Sequence, residues 1–236
     1  MSDLVYPPVI AAARILFRAL DMRITVEGAD HIPRTGGAVI ASNHVSYLDF
    51  IFAGYGARPA KRLVRFMAKQ SIFRNKIAGP LMRGMHHIPV DRSSGQAAYE
   101  AAVAALKAGE VVGVFPEATI SRSFTVKDIK SGAARMAAEA GVPLVPMALW
   151  GSQRLWTKGR KKELTKRHVP ITITAGEPIP SDGPPDDVTT ELHARMTALL
   201  DHAQHHYPDR PTPGDDWWQP AHLGGTAPTP EEALDT

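Results

Sequence analysis

Cysteine is absent from this chain of 236 residues. Disulfide bonds, thiolate metal sites and cysteine nucleophiles are therefore excluded. A Gly-x-Ser-x-Gly segment, which carries the serine nucleophile of many hydrolases, is missing as well. The lack of cysteine is compatible with a reducing cytoplasm but does not establish one, because many exported proteins also lack this residue.

A long apolar run is also missing. The best candidate, Val9 to Leu20, is shorter than the ~20 residues that a helix needs to cross a bilayer, and Arg14 and Arg18 interrupt it. It does not match a signal peptide either, because the acidic Asp3 precedes it and no basic segment leads into it.

Residues 1–22 are instead expected to contain an amphipathic helix, because apolar side chains recur there at helical spacing. These side chains are Val9, Ile10, Ala13, Leu16, Phe17 and Leu20. Two interpretations remain open. The helix packs against the protein core, or it lies in the headgroup layer of a membrane as a monotopic anchor.

Charge is unevenly distributed along the chain. The formal net charge is +3, yet residues 208–236 carry six acidic side chains against one arginine, so the preceding body carries about +8. A basic body suits anionic partners such as phosphate-bearing substrates or acidic lipid surfaces. Nucleic acid is not expected as a partner, because the cations are scattered among apolar segments and no nucleic-acid-binding motif accompanies them.

The tail, residues 208–236, is rich in Pro, Gly, Asp and Thr and is expected to be flexible. Trp217 and Trp218 are the exception within it. This pair is expected to dock on the domain or at a lipid interface, where tryptophan is favoured.

Between the two ends, residues 23–207 alternate between short apolar segments and helical patterns. This alternation predicts a single α/β domain, in which a mixed, largely parallel sheet is flanked by helices. The predicted strands are Ile24–Val26, Ala38–Ala41, Leu63–Ala68, His87–Val90, Val111–Phe115, Val142–Leu149 and Val169–Thr174. The predicted helices are Ile72–Met85, broken at Gly79-Pro80, then Gly95–Ala108, Lys130–Ala140 and Pro185–Tyr207.

His44 and Asp49 lie in one short segment that follows a predicted buried strand. An aspartate can fix the tautomer of a histidine and leave its other ring nitrogen free to accept a proton from a hydroxyl. On one continuous helix the two residues would point ~140° apart. They can meet only if His44 precedes a helix that starts near Ser46, which with Asp49 resembles a capping box. The alternative is that Asp49 only caps the helix.

A second polar loop, Phe115 to Arg122, also follows a buried strand, and a third short segment, Asp91-Arg92, follows the strand that ends at Val90. A carboxylate and hydroxyls at a strand end can bind a polar head group, and arginine can pair with phosphate. Ordinary solvated turns and a surface ion pair are the alternatives.

Four motifs together resemble those of the glycerolipid acyltransferase family, which includes bacterial 1-acyl-glycerol-3-phosphate acyltransferases. Asn43, His44 and Asp49 match its Asn-His-x4-Asp motif. The other three matches are Ile88–Arg92, an apolar stretch ending in Arg, Phe115–Ser121 for Phe-Pro-Glu-Gly-Thr-Arg-Ser, and the Val-Pro strand Val142–Met147. Phe66–Lys69 and Lys130–Arg135 match connecting phrases of the family, so the resemblance runs from about Val26 to Ala175 in order and spacing.

Two residues depart from the family pattern. Ala118 stands where the family usually has Gly, and Ile120 stands where it usually has a phosphate-binding Arg. Arg122, two residues further on, is a candidate substitute with a different geometry. The acceptor head group is therefore left open.

The resemblance implies a glycerol-3-phosphate acyltransferase-like fold and a direct acyl transfer, from acyl-CoA or an acyl-carrier-protein thioester to lysophosphatidic acid, giving phosphatidic acid in phospholipid biosynthesis. His44 would be the general base and Asp49 its orienting partner. Glu117 and Thr119 would contact the acceptor, and Arg92, Lys69 and Arg122 would bind its phosphate. No metal or bound redox cofactor is implied. Alternatives are acylation of glycerol-3-phosphate or of another lysophospholipid, and a catalytically inert lipid-binding role.

The resemblance also implies membrane lipid as a partner, at the cytoplasmic face of the cell membrane. The N-terminal helix and the basic run Trp156–Lys162 are the expected contact surfaces, since each cation near an anionic surface contributes about 1 kcal/mol. The same run could instead bind an acidic carrier protein or be a solvated loop.

Overall fold

Seven strands form one mixed sheet at the centre of the molecule. The computed structural model describes residues 3–91 and 95–234. The strands are β1 (Arg23–Glu27), β2 (Ala38–Ser42), β3 (Val64–Lys69), β4 (Ile88–Val90), β5 (Val111–Val114), β6 (Leu144–Trp150) and β7 (Pro170–Ala175). Their order across the sheet is β1-β7-β6-β2-β5-β3-β4. Only the β6–β7 pairing is antiparallel, so the predicted mixed, largely parallel sheet is confirmed.

Eight helices flank or extend this sheet within the described residues. They are α1 (Tyr6–Ala19), α2 (Asp49–Gly56), α3 (Gln70–Phe73), α4 (Ala78–Gly84), α5 (Gly95–Lys107), α6 (Gly132–Ala140), α7 (Pro185–His205) and α8 (Pro230–Leu234). Short 3-10 turns occur at Ala29–His31, Ser152–Arg154 and Ala221–Leu223.

Both faces of the sheet are buried. In β2, Ala38 and Ile40 belong to the core cluster that α1 and α2 cover, whereas Val39 and Ala41 belong to the cluster covered by α5, α6 and α7. This division follows from the two-residue period of a strand. It also explains why β2 and β5 consist of apolar residues and glycine apart from Ser42, since parallel strands inside an α/β sandwich have no solvated face.

The break between α3 and α4 lies earlier than the sequence predicted. The helical pattern stops after Phe73, and the side chain of Asn75 accepts the backbone N–H groups of Ile77 and Ala78 to start the next helix. Gly79 and Pro80 therefore belong to the first turn of α4. Proline is tolerated there because the N–H groups of a first turn have no partner within the helix.

Helix α1 confirms the predicted amphipathic helix and packs on the domain through one face. The Tyr6 hydroxyl donates to the Val64 carbonyl at 2.5 Å, and the rings of Phe17 and Phe52 stack at 5.4 Å. Leu16, assigned to the apolar face from its spacing, lies on the outer face instead and is 52% exposed, beside Ile15 at 70%. The first interpretation of this helix, packing against the core, is thus confirmed for its inner face only. None of the helices described has the length and apolar character needed to cross a membrane.

The segment after α7 returns to the domain. The Trp218 side chain is buried against Tyr207, with ring centroids 5.6 Å apart. Asp209 accepts hydrogen bonds from Arg23 at 2.9 Å and from Arg154 at 2.6 Å. Of the two alternatives for the tryptophan pair, Trp218 therefore docks on the domain. Flexibility of the rest of the tail stays a prediction.

Gly113, in the middle of β5, tests how tightly the sheet packs. A Cβ atom at this position would lie 2.4 Å from Cε1 of Phe66 and 2.7 Å from Cγ1 of Val64. We expect Gly113→Ala to lower the free energy of unfolding by ~1–3 kcal/mol, as overpacked cores do, measured by urea denaturation. Gly132→Ala, where a Cβ meets open space at the start of α6, is the control. Equal stability of the two variants would contradict this account.

Candidate active site

Polar loops meet at the sheet edge where β2 and β5 end. The two strands are parallel neighbours, so their carboxyl ends lie side by side, which is where α/β sheets usually place their sites. The N–H of Ser121, in the loop after β5, donates to the carbonyl of His44, in the loop after β2, at 2.7 Å. The Asn43 side chain connects the loop after β2 to β6, because its amide exchanges two hydrogen bonds with the backbone of Leu149.

His44 and Asp49 form the pair that their spacing predicts. Nδ1 of His44 lies 3.0 Å from Oδ2 of Asp49. His44 precedes α2, and Asp49 is the first residue of that helix. The Asp49 carboxylate also accepts the N–H of Ser46 at 2.7 Å, as in a capping box, whereas the Ser46 hydroxyl accepts the N–H of Leu48. The N-cap residue of α2 is nevertheless Leu48, which makes no side-chain cap hydrogen bond, so the predicted cap at Ser46 is wrong and the Asp49 carboxylate binds the loop before the helix and His44.

Asp49 is fully buried, and hydrogen-bond donors surround its carboxylate. Besides His44 and Ser46, Oδ2 accepts the N–H of Val45 at 2.7 Å, and Oδ1 accepts the hydroxyl of Ser152 at 2.6 Å. An ionised carboxylate can only accept hydrogen bonds, so Nδ1 of His44 is the donor of their shared bond. In the neutral form of the imidazole, the lone pair is then on Nε2.

Nε2 of His44 is available to a substrate. Within residues 3–91 and 95–234 it has no hydrogen-bond partner, and the side chain is 20% exposed. The ring is stacked on Phe115 at 4.4 Å, which in turn stacks on Phe66 at 6.0 Å. These aromatic contacts hold the imidazole plane while one edge stays open.

Glu117 is buried beneath the site. Its Oε1 accepts the N–H of His44 at 2.8 Å, and its Oε2 accepts the N–H of Lys127 at 3.1 Å. Burial raises the pKa of this carboxyl to about 8, although the two N–H groups act in the opposite direction. Glu117 thus joins the loop after β2 to the loop after β5. Its predicted contact with an acceptor stays a prediction.

Of the remaining predicted residues, the structure describes Lys69, Thr119 and Arg122. Lys69 is exposed at the end of β3, and Thr119 is exposed beside Glu117. Arg122 is half-buried and lies near the basic loop, because a Cβ built on Gly159 would be 3.9 Å from its Nε. Arg92 lies outside the described residues. Among the predicted site residues, Asp49 and Glu117 are shown in direct contact with His44. The phosphate-binding roles of the cations stay predictions.

Both departures from the family motif have visible structural consequences. Ala118 adopts the left-handed conformation with φ of 61°, which glycine occupies at no steric cost. Ile120 is only 6% exposed, so an apolar side chain fills the place where the family usually has an arginine.

An apolar cavity of about 80 Å³ lies between α1, α2 and β3. Phe50, which follows Asp49, and Phe66, which stacks on Phe115, both line it. Phe66 thus connects the cavity lining to Phe115, the ring on which His44 stacks. As for metals, no cluster of three or more potential ligands occurs in the part of the chain that the structure describes.

Sequence reasoning did not find two residues of this site. Ser152 follows β6 at the same sheet edge, and that position after a buried strand is the signal that could have identified it. Asn43 was matched only as part of a motif, and nothing in the sequence indicates that its side chain pairs with Leu149, 106 residues away.

Comparisons with known proteins agree with this geometry. A family model described as Acyltransferase matches residues 23–150. The 1-acyl-sn-glycerol-3-phosphate acyltransferase of Bacillus subtilis (strain 168) is 34% identical over 143 residues, covering 59% of this chain and 70% of that protein. A protein of the same name from Limnanthes douglasii is 31% identical over 163 residues, covering 67% of this chain and 55% of the relative, so the chain spans about half of that protein's length.

A solved structure shows the same fold. The crystal structure of the 1-acyl-sn-glycerophosphate (LPA) acyltransferase PlsC from Thermotoga maritima superimposes with a TM-score of 0.73 at 22% identity, covering 86% of this chain and 81% of that one.

Glu117 gives a prediction on stability. Its pKa of about 8 in the folded protein exceeds the ordinary value of 4.5, so between these pH values the folded protein retains a proton that the unfolded chain has released. The stabilisation is complete below the lower value and is lost as the pH rises through the higher one. We expect the unfolding free energy of wild type to fall relative to Glu117→Gln as the pH rises from about 5 to 9, measured by denaturant unfolding. Glu231→Gln, in exposed α8, is the control, and a difference independent of pH would contradict the raised pKa.

Proposed function

Because the chain belongs to the acyltransferase family, we propose that it transfers a fatty acyl group from a thioester donor, acyl-CoA or acyl-carrier protein, to a hydroxyl of lysophosphatidic acid. The product is phosphatidic acid, a precursor of membrane phospholipids. The observation that carries the proposal is the His44–Asp49 pair, in which Asp49 binds Nδ1 of a partly exposed His44 and Nε2 has no hydrogen-bond partner within the described residues. The names of the relatives support the choice of acceptor.

In the proposed mechanism, Nε2 of His44 takes the proton from the acceptor hydroxyl while the hydroxyl oxygen attacks the carbonyl carbon of the thioester. The tetrahedral intermediate then collapses, the carbon–sulfur bond breaks, and the thiolate receives the proton from His44. Asp49 keeps Nδ1 protonated and stabilises the imidazolium that forms between the two steps. The chain has no cysteine to form an acyl-enzyme, which supports direct transfer.

The acceptor's phosphate is proposed to bind the cations Lys69, Arg92 and Arg122, with Glu117 and Thr119 near its polar end. Ile120 supports a second candidate, an acceptor other than lysophosphatidic acid. Its buried side chain supplies no charge where the family usually has arginine. Glycerol-3-phosphate and lysophospholipids with larger head groups are therefore included in the acceptor panel below.

The acyl chain is proposed to occupy the apolar cavity next to Phe66. Its lining residues from α1, including Val9, Ile10 and Ala13, are apolar. Only part of a long acyl chain fits in a volume of about 80 Å³, and each methylene buried there contributes about 0.8 kcal/mol.

We also propose that the protein works on the membrane surface at its cytoplasmic face. On the outer face of α1, exposed Ile15 and Leu16 adjoin exposed Arg14 and Arg18. Apolar side chains flanked by cations are typical of helices that lie in the headgroup layer. The basic run Trp156–Lys162 adds further cations, and Lys162 lies 5.8 Å from the ring centroid of Trp156.

The activity is tested by incubating the protein with lysophosphatidic acid and a long-chain acyl-CoA, with thiol release and the diacylated product measured together. We expect His44→Ala to lower the rate by ~10²–10⁴, because general-base catalysis contributes this much. Asp49→Asn is expected to lower it as well, since it removes the charge that orients the imidazole.

His31→Ala is the matched control, because His31 pairs with Glu177 and the Ala175 carbonyl at another part of the sheet. Carrier-protein donors, glycerol-3-phosphate and other lysophospholipids complete the panel. Activity that survives His44→Ala would overturn the mechanism, and a wild type inactive across the whole panel would favour the inert lipid-binding alternative.

Membrane contact gives a separate prediction. We expect Ile15→Ser combined with Leu16→Ser to weaken binding to vesicles containing anionic lipid about tenfold or more, because each buried apolar side chain of this size contributes ~1.5–3 kcal/mol. Binding is measured by co-sedimentation. Leu234→Ser, which changes an equally exposed apolar residue in α8, is the control. If both proteins bind as wild type does, α1 is not the contact surface.

A further inference from the structure

The structure assigns a positioning function to Ser152, a residue beyond the segment that the family model matches. We propose that the Ser152 hydroxyl fixes the orientation of the Asp49 carboxylate, and that the C-terminal segment from Tyr207 to Trp218 holds Ser152 in place. Its catalytic consequence rests on the proposed function, in which Asp49 orients the general base.

The contact between Ser152 and Asp49 is short and inaccessible to water. Oγ of Ser152 lies 2.6 Å from Oδ1 of Asp49, and both residues have an exposure of 0%. Oδ2 receives its hydrogen bonds from the segment His44–Ser46, whereas within the described residues Oδ1 receives its only one from Ser152. A buried carboxylate oxygen without a donor is costly. Loss of this hydroxyl therefore favours rotation of the carboxylate away from His44.

The backbone before Ser152 is closely packed and restricts position 151 to glycine. Gly151 has φ of 100°, and a Cβ atom there would lie 2.1 Å from the Pro170 carbonyl oxygen. The Gly151 N–H donates to Oε1 of Gln153 at 2.9 Å. Ser152 thus begins a tight turn directly after β6, and the turn fixes the direction of its side chain toward Asp49.

The C-terminal segment binds Gln153 and Arg154, the other two residues of this turn. Nε2 of Gln153 donates to the Trp218 carbonyl at 3.2 Å, and the Arg154 guanidinium donates to Oδ2 of Asp209 at 2.6 Å. The same guanidinium lies 4.6 Å from the ring centroid of Trp218. Arg154 is only 9% exposed, so its charge depends on these partners. The segment after α7 is therefore connected to Asp49 through three consecutive residues.

The first test compares the kinetics of Ser152→Ala with those of wild type. We expect kcat to fall about tenfold, as for a lost hydrogen bond to a charged group, with KM for both substrates unchanged because Ser152 does not reach the substrate. In the Asp49→Asn background, Ser152→Ala is expected to have no further effect. Ser181→Ala, which removes a hydroxyl bonded to the Val142 carbonyl at the opposite end of β6, is the control. Effects that add in the double variant, or a change confined to KM, would overturn the positioning function.

The second test addresses the C-terminal segment. Asp209→Asn is expected to lower kcat several-fold in the wild-type background and to have no effect in Ser152→Ala, because it acts through Ser152. If Asp209→Asn does not fold, Gln153→Ala replaces it, since this variant leaves the ion pair of Arg154 intact. An equal loss of kcat in both backgrounds would show that the segment does not act through Ser152.

A measurement independent of activity separates this proposal from the proposed function. Histidine-selective ¹⁵N labelling identifies the Nδ1 proton of His44 by its absence in His44→Ala. We expect its signal to persist in Ser181→Ala and to broaden or disappear in Ser152→Ala. An unchanged signal in Ser152→Ala overturns the inference, whether or not the wild type transfers acyl groups. A lost signal in a protein inactive on every substrate supports the geometry while the proposed function fails.

Discussion

The buried carboxylate of Asp49 is the constraint on which the site depends. A charge with no contact to water is stable only where donors surround it, and here two backbone N–H groups, an imidazole and a hydroxyl do so. Each donor comes from a segment that must adopt one conformation to supply it. The loop after β2, the start of α2 and the turn after β6 are consequently fixed by the same four hydrogen bonds.

A second buried carboxylate fixes these loops from below. Glu117 binds the backbone of His44 and therefore fixes the position of this residue. Asp49 binds the ring and fixes its orientation. Because burial raises the pKa of Glu117 to about 8, the stabilisation that this carboxyl group contributes depends on pH. The site therefore combines a partly exposed histidine with two buried carboxyl groups, one bound to its ring and one to its backbone.

The fold separates the chemistry from the surfaces proposed for lipid contact. The inner face of α1 lines the apolar cavity and packs on the core, and its outer face presents Ile15 and Leu16 beside arginines. One helix can thus serve both the interior and an interface, because its apolar stripe is wider than the face that the domain covers. Core packing is confirmed for the inner face, and membrane contact of the outer face stays a proposal.

The sequence by itself predicted all seven strands, the α/β class, the order of the motifs and the local conformation in which His44 can meet Asp49. These features depend on local periodicity or on residues five positions apart, so short segments contain the information. Tertiary structure alone decided that Glu117 faces the backbone of His44, that Leu16 faces outward and that Trp218 docks on the domain. It alone also brought Ser152 to Asp49, 103 residues away in the chain. Such contacts depend on how strands are ordered in the sheet and how loops cross its edge, and no local pattern records that order.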